Sequence, residues 1–183
     1  MFRVGEEIEI RPGISRRTPE GVWHSRPLFS RVVSLATEQN QLQYAVPGGL
    51  IGMGLNVDPT ICRGDRLVGN IIGRPGTLPE IYDMVEVSYH LMRRLAGQRS
   101  DDGKRQAKIE NLQKGENVQV NIGSFCTTAT CKVVRGDLAR LELHNPICTE
   151  SGEKVAISRR IERHWRLIGW GTIVRGHQVK YED

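Results

Sequence analysis

The chain has 183 residues, with 26 Lys and Arg against 21 Asp and Glu, a net charge of +5, and 38% hydrophobic residues. That length suits one large domain or two small ones with modest cores, and so small a cationic excess argues only mildly for a polyanionic partner. The four cysteines, Cys62, Cys126, Cys131 and Cys148, are irregularly spaced and no apolar run is long enough for a leader or a membrane span, which fits a reduced, cytoplasmic protein without membrane contact better than a disulfide scaffold.

In chain order, residues 6–11 (EEIEIR) alternate before the turn Pro12-Gly13, residues 28–35 read LFSRVVSL, residues 50–53 follow the turn Pro47-Gly48-Gly49, and residues 66–72 read RLVGNII. Each is predicted as a short strand. The run GRPGTLP at 73–79 concentrates turn formers and marks a boundary between units 1–77 and 78–183. Beyond it, residues 85–91, 117–122, 130–135, 138–143, 154–161 and 166–174 carry further strand patterns. Residues 97–113 (GQRSDDGKRQAKIENLQ) are polar and charged, and are predicted as an exposed insertion with a short helix at 104–112. Many short strands with little helical periodicity predict an all-β protein built from two consecutive antiparallel barrels.

The search for catalytic chemistry is negative. No G-x-x-x-x-G-K-[ST] loop is present, and the five histidines are scattered, so neither a phosphate-cradling loop nor a triad is indicated. The run GGLIGMG at 48–54 leads into a strand pattern and not a helix, which disfavours a dinucleotide fingerprint. Its glycines offer close backbone approach for a planar group, or alternatively a barrel corner. Cys126 and Cys131 form C-x4-C with no matching Cys or His pair, so core thiols are expected in preference to a metal site.

The densest signal lies at 151–176, where Arg159, Arg160, Arg163 and Arg166 are interleaved with Trp165 and Trp170. Clustered guanidinium groups beside aromatic faces suit phosphate and base contacts, while a basic surface strand packing its tryptophans inward is the plain alternative. Alternation through Val155, Ile157 and Ile161 predicts that some of these arginines face solvent, toward RNA or an acidic assembly partner, in preference to pairing with Glu150, Glu153 and Glu162.

The runs VGEEIEIRPG (4–13), LQYAVPGGLIGMGLNVDPTICRGDRLVG (42–69), LPEIYDMVEVSYHLMRRLAG (78–97), VNIGS (120–124) and GEKVAISRRIERHWRLIGWGTIVRG (152–176) resemble the C-terminal two-thirds of the gamma subunit of eukaryotic and archaeal translation initiation factor 2. The resemblance implies barrels of the translational-GTPase domain II and domain III type, the first N-terminally incomplete, with the GTPase domain, its GTP and its Mg2+ belonging to the parent protein and no cofactor or catalysis in this chain. It implies delivery of initiator methionyl-tRNA to the small ribosomal subunit as a GTP-dependent ternary complex, with the alpha and beta subunits as partners and an assembly chaperone as a further candidate. Gly48, Gly49, Leu50, Ile51, Gly52, Met53 and Gly54 are then the candidate acceptor-end surface. Arg16, Arg17, Trp23 and Arg26, in the segment 13–27, are the candidate alpha-subunit interface. Two departures from the family pattern stand out: Leu55-Asn56 follows the glycine run where Thr-Lys is usual, and Cys126 to Cys131 replaces a small Gly-rich turn. A selenocysteinyl-tRNA elongation factor, a generic ribosome-associated RNA-binding module and a redox enzyme using Cys126 or Cys131 are the competing readings.

Overall fold

The computed structural model describes residues 1–99 and 106–181, and most of them lie in strands. In the first half these are β1 (Phe2–Arg3), β2 (Glu7–Arg17), β3 (Trp23–Thr37), β4 (Asn40–Leu42), β5 (Tyr44–Ala45), β6 (Gly52–Leu55) and β7 (Ile71–Gly73), with one short helix, α1 (Pro59–Cys62), between β6 and β7. The second half contains β8 (Ile81–Leu91), β9 (Arg94–Arg99), β10 (Gln106–Lys108), β11 (Asn117–Ile122), β12 (Phe125–Arg135), β13 (Leu138–Cys148), β14 (Lys154–Ile161), β15 (His164–Gln178) and β16 (Lys180–Tyr181).

Six of these strands close into an antiparallel barrel in the order β11-β12-β13-β8-β15-β14. The reason is visible in β11, where Val118, Val120 and Ile122 are buried and the residues between them are not. An apolar residue at every second position gives each strand one dry face, and closure buries all of those faces at once. Val85 and Val87 of β8, Leu141 and Leu143 of β13, and Ile157 of β14 complete the interior. Gly169 and Gly171 let β15 approach β8 closely. A Cβ on Gly169 would lie 2.3 Å from the His90 carbonyl oxygen, and one on Gly171 would lie 2.4 Å from Val87 Cγ1.

The first sheet curls without closing. Its order is β16-β3-β2-β7, with β4 and β6 also on β3. The 15-residue β3 changes partner midway: Trp23 through Arg31 pair with β2, whereas Val32 through Ala36 pair with β6. Its core is correspondingly small, formed by Ile8, Ile10, Val32, Leu35 and Ala45.

Three expectations need correction. Residues 66–72 are not a strand: only Ile71–Gly73 pairs, and the approach to it is α1, a 3-10 turn at Arg63–Asp65 and a loop. Local chemistry explains this, because Asp58 caps α1 by accepting from Thr60 N at 2.8 Å, Pro59 opens it, and Gly64 and Gly69 adopt positive φ. The helix expected at 104–112 does not form over its described part, since Gln106–Lys108 is β10, paired antiparallel with β9; residues 104 and 105 lie outside the described residues. The 97–113 insertion is also held at its flanks, where Leu95 and Leu112 are buried in the barrel core, an anchoring that its polar composition hid.

The two halves share a strand and a core. β16 pairs in parallel with β3, placing Lys180 opposite His24 and Tyr181 opposite Ser25. Ile81, Cys148 and Val179 form a third buried cluster against which Trp23 and Leu78 pack. Beside it Glu9, only 1% exposed, accepts from Arg11 Nε at 2.6 Å and from Gly76 N at 2.8 Å. Arg11 donates onward to the Pro79 carbonyl at 2.9 Å. A buried carboxylate is tolerable only when its oxygens are satisfied in this way.

Candidate functional site

The glycine run begins at the turn Pro47-Gly48-Gly49, where Gly48 and Gly49 take φ of 120° and 75°, values that L side chains rarely adopt. It continues into β6, whose Gly52 and Gly54 sit opposite Ala36 and Ser34 of β3. The two glycines differ. A Cβ on Gly52 would meet only the Ala36 carbonyl oxygen at an ordinary 3.6 Å, whereas one on Gly54 would come within 2.4 Å of Ser34 Oγ. Gly54 is a packing glycine and Gly52 an open one. The apolar members divide as well: Leu50 is 90% exposed, while Ile51 and Met53 pack on the first-sheet core. Of the three, Leu50 alone is exposed, while Ile51 and Met53 are partly buried against the curl. The glycines lead into β6 and not directly into a helix, and no group of three or more His, Cys, Asp or Glu positioned for a metal exists among the described residues. A glycine run that enters a strand lacks the helix N-terminus on which a phosphate-binding loop depends.

Segment 13–27 is the β2–β3 hairpin. Arg16 and Arg26 are exposed and form no ion pair among the described residues. Trp23 is different: it packs on the buried Ile81, Cys148 and Val179 cluster, and Arg17 lies over its ring at 5.8 Å while donating to the Gly21 carbonyl at 3.1 Å. Trp23 is thus partly buried in a contact between the two halves. Sequence could not separate these uses of one tryptophan, because its neighbours in the cluster come from positions 81, 148 and 179.

The arginine cluster is divided too. Arg159 is an internal residue: its guanidinium pairs with both Glu116 oxygens, with Nη2 to Oε2 at 3.1 Å, and donates to the carbonyls of Glu110 and Asn111 at 3.1 and 3.3 Å. Both side chains of the pair are 19% exposed. Its expected exposure is therefore corrected, and the partner is none of the three glutamates weighed from sequence. β11 brings Val118 opposite Arg159, which sets the barrel wall and the insertion flank within reach. Arg166, opposite Arg159 on β15, is half-buried and its Nε finds no acceptor. Arg160 and Arg163 are exposed and pair with no carboxylate among the described residues. Glu162 and Arg163 form the hairpin turn with φ of 49° and 71°, the double positive φ of a two-residue turn matched to strand twist.

The tryptophans face outward, against the plain alternative. Trp165 is 38% and Trp170 is 51% exposed, and a bulge between Ile157 and Ser158 shifts the phase so that Ile168 and Gly169 are both buried. The thiols show no sign of redox pairing. Cys126 is exposed and Cys131 buried, and burial pushes the Cys131 and Cys148 thiols up to about 11. Sequence reasoning missed one charged cluster, in which Glu86 accepts from Arg175 at 3.1 Å and from Arg140 at 3.3 Å. These hydrogen bonds, first from Arg175, hold the Glu86 carboxyl below the usual range.

A closed antiparallel barrel beside a curled half-barrel, with an open glycine strand on one and a cationic hairpin on the other, defines an all-β module of the kind that forms domains II and III of translational GTPases. The family described as "Initiation factor eIF2 gamma, C terminal" matches residues 83–173. "Eukaryotic translation initiation factor 2 subunit 3" of Drosophila melanogaster is 55% identical over 179 residues, which is 98% of this chain and 38% of that protein. The chain belongs to the gamma-subunit family of translation initiation factor 2, and it spans well under half the length of that relative. No helix among the described residues is long and apolar enough to cross a membrane.

Proposed function

We propose that this chain supplies the tRNA- and subunit-binding units, residues 1–77 and 78–183, of a factor that delivers initiator methionyl-tRNA to the small ribosomal subunit as a GTP-dependent ternary complex. The observation that carries this reading is the open glycine segment: Gly48, Gly49 and Gly52 are exposed beside Leu50, giving a flat backbone surface with one apolar side chain. A terminal adenine stacks on such a surface, and Leu50 excludes water from its edge. Arg16 and Arg26 on the β2–β3 hairpin are the cations of the proposed alpha-subunit surface.

The test is Gly52→Phe in the intact factor. A Cβ at this position meets nothing closer than 3.6 Å, so folding is preserved and the added ring occupies the surface alone. Affinity for charged initiator tRNA is expected to fall about tenfold or more, the equivalent of one lost base–aromatic-sized contact, with GTP binding unchanged. Equal loss of both ligands, or loss of neither, removes the assignment. A pull-down of the alpha subunit that ignores Arg16→Ala and Arg26→Ala together removes the second surface; Trp23→Ala is unsuitable because it opens the junction between the halves.

A further inference from the structure

We propose that the outer face of the closed barrel, across β11, β14, β15 and β8, binds an unpaired RNA segment whose bases stack on Trp165 and Trp170 and whose phosphates meet Arg160, Arg163 and Lys154. This face belongs to the second unit and does not include the glycine strand, so it stands apart from the acceptor-end reading.

The backbone forces both indoles outward. Gly169 and Gly171 flank Trp170, and neither has room for a Cβ against β8. Their inward position leaves the intervening indole no direction but out. His90, opposite Trp170 in the β8–β15 register, tilts against it at 6.2 Å between ring centroids and 49° between planes, while the indole stays 51% exposed. Trp165 sits opposite Arg160, so a guanidinium and an aromatic ring share one patch at the hairpin end. The tryptophans lie five positions apart, about 16 Å along an extended strand, with Leu167, 49% exposed, between them.

Polarity and charge choose the occupant. Strand alternation opposite the buried valines and isoleucines places Gln119 and Asn121 of β11, Ala156 of β14, Thr172 of β15 and Ser88 of β8 on the same outer face. These are small or amide and hydroxyl side chains that can read base edges, and the carboxylate that β8 places on this face, Glu86, is already paired with Arg175 and Arg140. Lys154, whose Nζ donates to Thr172 Oγ1 at 2.9 Å, supplies a cation at one end, and Arg160 and Arg163 supply two at the other. The nearest carboxylates in sequence, Glu153 and Glu162, lie in the flanking turns. Spaced aromatic platforms, polar groups between them and cations at both ends fit a single strand with exposed bases; a protein-docking face concentrates its apolar residues into one patch.

The test uses the full chain and a fluorescent oligouridine of roughly ten nucleotides, within the site size of small β-barrels. Trp165→Leu and Trp170→Leu keep apolar area and remove the π face, and each is expected to weaken binding about tenfold. Trp170→Phe restores a stacking surface and should bind close to the parent chain. Arg160→Ala should lower the slope of log affinity against log salt by up to about 0.7, the single-strand value for one phosphate contact. Leucine variants that bind as well as the parent, with the same urea midpoint, overturn the proposal. So does an RNA duplex or polyglutamate that competes as well as the single strand, which would assign the face to backbone charge or to an acidic protein.

Discussion

Replacing Arg159 with alanine should destabilise the barrel without touching its RNA-facing charge. The substitution leaves Glu116 with its carboxylate 19% exposed and only one other donor, Gln113 N at 3.0 Å. Breaking a fully buried ion pair costs about 3–5 kcal/mol, most of it from the stranded charge. Partial solvent access and the surviving backbone donor reduce that to about 2 kcal/mol, and the carbonyls of Glu110 and Asn111 regain water in place of their lost donors. With a urea slope of about 2 kcal/mol per molar, the midpoint should fall by about 1 M. Arg159→Lys should recover part of the loss, since an ammonium keeps the charge but cannot engage both carboxylate oxygens and the insertion carbonyls together. The assay is equilibrium urea unfolding followed by circular dichroism, with the salt slope of oligouridine binding measured on the same samples. Superimposable unfolding curves for Arg159→Ala and the parent would refute the internal role, and a flattened salt slope would return Arg159 to the binding surface.

Two further outcomes follow from ionisation. At about pH 8 an aromatic disulfide reagent should modify Cys62 and Cys126 quickly and reach Cys131 and Cys148 only after denaturation, because the latter pair is buried and its thiols titrate only at about 11; four fast thiols would contradict the packing. Glu86 has a folded pKa below its ordinary value of about 4.3, so its pairing with Arg175 and Arg140 stabilises the native state above that value and is lost as pH falls through the folded pKa. Glu86→Gln should therefore lower the urea midpoint at neutral pH and converge with the parent only as the pH falls through the lowered folded pKa, whereas a pH-independent gap would exclude the electrostatic explanation.

Local residue pattern was enough for the all-β class and most barrel strands. Residues 117–122 and 154–161 coincide with β11 and β14, because a period of two is a local property that one dry face imposes on every barrel strand. The glycine run and the arginine hairpin were legible for the same reason, as each is a short continuous segment whose composition is its signal. Tertiary structure decided which of those residues are free. Trp23 meets Ile81, Cys148 and Val179, and Arg159 meets Glu116 across 43 positions, so their burial depends on partners that no local window contains. A bulge at Ile157/Ser158 and two glycines without room for a Cβ turned Trp165 and Trp170 outward. The buried Glu9 and the return of β16 to the first sheet were equally illegible, since a carboxylate or a two-residue strand carries no pattern until the fold brings Arg11, Gly76 and β3 alongside. Local periodicity selects elements, and the contest among distant side chains for a limited interior decides which faces of those elements remain for a partner.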